Sequence, residues 1–243
     1  GLGINPPHNN RYLFSDHYLE SILPDDPRWD KALEDAETFL EWLQDLYANE
    51  QDQLPHYTEA QLEANWFRPI FEELGHVFEQ QTSIPGLEEE IRHPDYVFFP
   101  TEEARQQAVQ AQRTEEYAEN ALAVGEVKKW DTPLGKKARG GGGHFDDQNP
   151  SYQIDTYIRS TGLSWGILTN GQLWRLYHKD ISQRLQIYYE IDLVDLLIRD
   201  DPDKLRYFIL FFRQAAFQVD PQGRVFLDDA RKASNDYAVE LEE

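Results

Sequence analysis

Two short apolar runs carry charges where an apolar run is not expected to hold them. One is Tyr96 to Phe99, preceded by Pro94 and Asp95; the other is Leu122 to Val127, with Glu126 and then Lys128 at its end. The second run reads as a strand because it is short, interrupted only by Gly125, and followed by Asp131, Pro133 and Gly135. Residues two apart on a strand share a face, so a carboxylate and an ammonium stand side by side. Desolvating an ion costs several kcal/mol unless a partner, a metal or water compensates. The triplet is therefore either a salt bridge at a strand end or a site. The chain has no cysteine, which excludes disulfides, thiolate ligands and thiol nucleophiles and leaves any metal with oxygen or imidazole ligands.

Proline and aspartate opening one strand, with E-x-K closing the next, resembles the PD-(D/E)XK nuclease superfamily. Its two strands pair so that both carboxylates meet at one metal. The blocks Asn149 to Tyr157, Trp165 to Tyr177 and Leu205 to Arg213 resemble the N-terminal nuclease region of type IIG restriction-modification polypeptides and, more loosely, type I restriction subunits. The resemblance covers Tyr12 to the C-terminus. It implies an endonuclease domain that hydrolyses the phosphodiesters of double-stranded DNA with Mg²⁺, or Mn²⁺ in its place, within a phage-defence enzyme. Asp95, Glu126 and the Val127 carbonyl would hold the ion, and Lys128 would orient the attacking water or stabilise developing charge. Families of this kind often recruit an acidic residue from the helix before the first core strand, which favours Glu59 over Glu63. Gln153 and Tyr157, one helical turn apart, match a Q-x-x-x-Y block and would contact the phosphate backbone or the nucleophile. Target-recognition and methyltransferase domains would lie elsewhere in the same longer polypeptide. The alternative is a catalytically silent nuclease fold serving as a DNA-binding or assembly module. Such a module would have no reason to retain Asp95, Glu126 and Lys128 together. A repair or recombination nuclease would keep the three without the Asn149 to Tyr177 blocks.

The elements that must position these residues point to an α/β, restriction-endonuclease-like fold: a mixed sheet of four to six strands flanked by helices, with helical additions at both ends. The expected divisions are an N-terminal helical addition at 1–55, a nuclease core at 56–192 and a C-terminal helical extension at 193–243. Residues 1 to 15 read as irregular. Asn5-Pro6-Pro7 matches part of a methyltransferase motif, but His8 replaces its aromatic residue, and coincidence explains it. Asp16 to Leu23 reads as a short helix. Asp26 caps the next, with Pro27 first and an apolar stripe of Trp29, Leu33, Ala36, Leu40, Leu43 and Tyr47. Thr58 and Gln61 form a capping box ahead of a helix that Pro69 should kink and Gly75 should stop. Val77 to Thr82 is a strand, and Thr101 to Asn120 reads as one exposed helix capped by Thr101. Asn149 caps a helix beginning at Pro150. Trp165 to Thr169, Asn170-Gly171 and Leu173 to Tyr177 form a hairpin with a type I′ turn. Gln186 to Ile191 is a strand, Asp201 caps a long helix, and Ala230 to Leu241 forms a dangling helix, as in a fragment of a longer chain.

The 243 residues carry a net charge of −22, against unaided DNA binding, because Lys and Arg on phosphate supply most nucleic-acid affinity. The charge is uneven. Residues 11–120 hold 26 acidic and 7 basic residues, a balance of −19, whereas 125–144 hold five basic and two acidic, or +3. The basic island surrounds the E-x-K triplet, which suits a cleavage module that borrows DNA affinity; a plain solvated acidic surface explains the rest equally well. Lys136 to His144 reads either as a mobile basic loop beside DNA or as a linker. With 40% hydrophobic residues, no apolar run long enough for a membrane span and no signal peptide, the chain reads as globular and cytoplasmic.

Overall fold

The computed structural model of the protein describes residues 5–80, 82–135 and 149–242. In chain order it holds strand β1 (Asn9–Arg11) and helices α1 (Pro27–Glu50), α2 (Glu59–Leu62) and α3 (Arg68–Glu73). Strands β2 (Val77–Gln80) and β3 (Tyr96–Phe99), helices α4 (Glu102–Val109) and α5 (Thr114–Glu119) and strand β4 (Ala123–Val127) follow. Helix α6 (Pro150–Thr161) leads to strands β5 (Trp165–Thr169), β6 (Leu173–His178) and β7 (Tyr188–Asp192). Helices α7 (Leu193–Arg199), α8 (Pro202–Phe212), α9 (Gln214–Phe217) and α10 (Phe226–Glu242) complete it.

The class is α/β, with one mixed seven-stranded sheet in the order β1-β7-β6-β5-β4-β3-β2. The expected four to six strands are exceeded because Asn9–Arg11, read as irregular, pairs antiparallel with β7. Only β4 and β5 are parallel, and α6 is the crossover that parallel neighbours need. Every residue of β3, β4 and β5 is buried, since helices cover both faces. On one face Tyr96, Phe98, Trp165, Ile167 and Trp174 pack with α1, α3 and α8; on the other Val97, Phe99, Val124 and Leu168 pack with Tyr117 of α5 and Ile154 and Ile158 of α6. Each fully buried side chain of this size contributes about 1.5–3 kcal/mol. The first core runs from Leu13 to Ala230, so the segments 1–55, 56–192 and 193–243 share it. Among the described residues no helix is long and apolar enough to cross a membrane.

Local capping set most helix starts. Asp26, Thr101, Asn149 and Asp201 each accept a main-chain N–H of the first turn, and Thr58 with Gln61 forms the full capping box. Tertiary packing changed other details. Pro69 does not break the helix; a π-helical turn at Glu63–Phe67 widens the ladder ahead of it, with the Arg68 N–H reaching back to the Glu63 carbonyl. Tyr18–Ile22 is also π-helical. Thr101 to Asn120 is two helices, not one exposed helix, because Ala108 and Tyr117 are both drawn into the core. The β5–β6 turn is not type I′. Only Gly171, at φ 94°, has positive φ, and Asn170 stays in the ladder, its Oδ1 accepting the N–H groups of Gln172 and Leu173 at 3.1 and 2.8 Å. Asp192 caps α7, which the sequence reading missed. The last helix does not dangle: Phe226, Leu227 and Ala230 are buried, and Trp165 Nε1 donates to Asp228 at 2.9 Å. The basic segment 136–144 lies outside the described residues.

Candidate functional site

Asp95, Glu126 and Lys128 meet at one end of the sheet because of register. Tyr96 opposes Gly125 in the antiparallel β3–β4 pair, so the next residues outward are Asp95 and Glu126. The Asp95 N–H donates to Glu126 Oε2 at 3.4 Å, and Asp95 Oδ2 accepts the Val127 N–H at 2.9 Å. Lys128 Nζ donates to Glu126 Oε1 at 3.1 Å. Alternation puts Asp95 on the face of Val97 and Phe99, and Glu126 and Lys128 on the face of Val124, so all three share the α6 side. The Lys128 N–H bonds the Thr169 carbonyl of β5 at 2.8 Å. One residue earlier, the main chain of Val127 therefore turns to the β3 side, carbonyl and N–H together, where the N–H meets Asp95.

The site's electrostatics follow from burial. Asp95 is pushed up to about 8, first by burial and then by the charge of Glu126, while the Val127 N–H pulls it back. Glu126, 5% exposed, is raised by burial and lowered by Lys128. Two carboxylates thus share one ammonium, an excess of negative charge that a hard cation would relieve. Among the described residues no group of three or more carboxylate or imidazole side chains is arranged to hold a metal. Two carboxylates and a main-chain carbonyl nonetheless suit Mg²⁺, which keeps several waters.

The helix before the first core strand brings two acids near this end in different ways. Glu59 is half-buried and raised by burial first and by Asp95 next, with Lys128 opposing. Glu63 is buried beneath the other face, where its Oε1 accepts the Tyr96 hydroxyl at 3.1 Å. On α6, Gln153 and Tyr157 are both buried, and the Tyr157 hydroxyl is raised by burial, then by Glu126 and Asp95. Gly166 lets the helix lie this close: a Cβ there would fall 2.8 Å from Ile154 Cγ1 and Ile158 Cδ1.

The segment after β4 is pinned from three directions. Trp130 packs edge-on against Trp66 at 5.8 Å, Asn170 Nδ2 donates to the Thr132 carbonyl at 3.0 Å, and Ser151 Oγ donates to the Leu134 carbonyl at 2.6 Å. Sequence reasoning missed two residues on this face. Arg175 is buried, donates to Glu190 at 2.5 Å and lies over the Tyr188 ring at 3.8 Å. A charge alternating with Trp174 and Leu176 in a strand was the available signal. Arg92 precedes Pro94-Asp95 and carries no periodic signal. Comparison with known proteins gives no match: no family model, curated protein or solved structure matches this chain.

Proposed function

We propose that the chain is an endonuclease domain of the PD-(D/E)XK kind that hydrolyses DNA phosphodiesters with Mg²⁺. The observation that supports this best is the β3–β4 register, which sets Asp95 opposite Glu126 with Lys128 on the same face. Asp95, Glu126 and the Val127 carbonyl would hold the ion, which when bound supplies an acidified water and offsets charge on the scissile phosphate. Lys128 is the ammonium that orients the attacking water or stabilises negative charge as it develops. Tyr157 and Gln153 line the approach from α6, and Glu59 adds negative charge at the mouth. The net charge of −22 fits a module whose DNA affinity and target recognition come from other domains of a restriction-modification polypeptide.

Plasmid cleavage, Mn²⁺ titration calorimetry and thermal melts on Glu126→Ala and Lys128→Ala test the reading. Glu126→Ala should lose metal binding and cleavage together. Lys128→Ala removes no ligand and takes a positive charge away, so metal affinity should hold or rise while cleavage falls by orders of magnitude. A wild-type protein that binds no metal, with both variants equally destabilised, would reduce the pair to a salt bridge.

A further inference from the structure

A pocket of about 180 Å³ lies between residues 90–92 and the Tyr152–Tyr157 stretch of α6. Its volume equals about six waters at ~30 Å³ each, room for a phosphodiester group. Tyr157 forms part of its wall and feels the charges of Glu126, Asp95 and Arg92, so the pocket adjoins the strand-end carboxylates. Tyr157 is 3% exposed, and its hydroxyl has no hydrogen-bond partner among the described residues. The hydroxyl is not sealed from solvent, so a group entering the pocket can reach it. Arg92, on the opposite wall, is exposed and pairs with no carboxylate among the described residues, although Glu90 stands on the same rim. An arginine and a phenol therefore line one cavity, and neither is bonded to a protein acceptor among the described residues. That donor set suits a phosphate oxyanion, which a guanidinium meets with two parallel hydrogen bonds.

We propose that this pocket seats a backbone phosphate of the DNA strand beside the one being cleaved, with Arg92 as its charged anchor and Tyr157 as its neutral donor. The identity of the strand rests on the nuclease reading above; the anion site does not.

The test titrates inorganic phosphate and a short DNA duplex in parallel, without divalent metal, against the full chain, Arg92→Ala, Arg92→Lys and Tyr157→Phe. Lys179→Ala, on another surface, is the control. Arg92→Ala should weaken phosphate by about tenfold or more, with Arg92→Lys between it and wild type, and Tyr157→Phe should weaken it a few-fold. The slope of log K against log salt for the duplex should flatten by about 0.9 in Arg92→Ala, as for one lost phosphate contact. No saturable phosphate binding at millimolar concentration, or equal binding by wild type and Arg92→Ala, overturns the proposal. So does loss of phosphate binding with an unchanged duplex slope, which would mark a site for free anions. Plasmid cleavage is scored separately: Arg92-dependent binding by a chain that cleaves nothing would retire the nuclease reading and leave the pocket standing.

Discussion

Asp95→Asn is expected to stabilise the metal-free protein while abolishing its response to Mg²⁺. The carboxyl of Asp95 is moved from 3.8 to about 8, chiefly by burial and then by Glu126. At ~1.36 kcal/mol per unit the full displacement amounts to about 6 kcal/mol, an upper bound. Partial exposure at the strand mouth and water relaxation reduce it to about 1–3 kcal/mol. The folded protein holds this proton in a pH range where the unfolded chain has released it. The stability contribution is therefore full near pH 4 and is lost as pH rises to about 8. Asparagine is neutral throughout, still accepts the Val127 N–H through its oxygen, and offers an amide donor toward Glu126. The variant should therefore outmelt wild type without metal at pH 8, by about 2–4 °C per kcal/mol, with a smaller gap at pH 5. Millimolar Mg²⁺ should raise the melting temperature of wild type only. A variant that melts lower than wild type at pH 8 without metal, or a gap identical at both pH values, would refute the reasoning.

Two further outcomes follow from the same geometry. His8, His76 and His178 are each lowered to about 4 from 6.5, foremost by burial, so the fold keeps them neutral where the unfolded chain takes up protons. Stability should fall as pH drops from 6.5 towards 4; urea midpoints in the Asp95→Asn background, where the opposing carboxyl is absent, should decline between pH 7 and 5, and a flat midpoint would contradict this. Gly166→Ala should lose about 1–3 kcal/mol by urea denaturation, because its Cβ meets Ile154 and Ile158, and Ile158→Val, which removes the Cδ1 at 2.8 Å, should restore part of the loss.

Helix starts at Asp26, Thr58, Thr101, Asn149 and Asp201 were legible because each capping bond joins residues two or three apart. Glu126 and Lys128 were legible as a pair for a similar reason: strand periodicity alone puts them on one face. Asp95 is different. Its place opposite Glu126 depends on a register between strands some thirty residues apart, about which neither segment holds local information. The resemblance supplied that pairing as an expectation, and the tertiary structure supplied the bonds. Strand β1 was invisible because three residues have no period to read; it exists through pairing with β7, 181 residues away at Asn9 and Glu190. Glu59 and Glu63 look alike in sequence, one turn apart on an acidic helix. Only the packing of that helix against the sheet turns Glu63 under Tyr96 and leaves Glu59 half-buried, within range of the charge of Asp95. Arg92 and Tyr157 likewise lie on segments with no local relation, brought to one pocket by α6 crossing from β4 to β5. Short-range hydrogen bonds and periodicity are written residue by residue, whereas burial, and the charge shifts that burial causes, arise only when distant segments exclude water together.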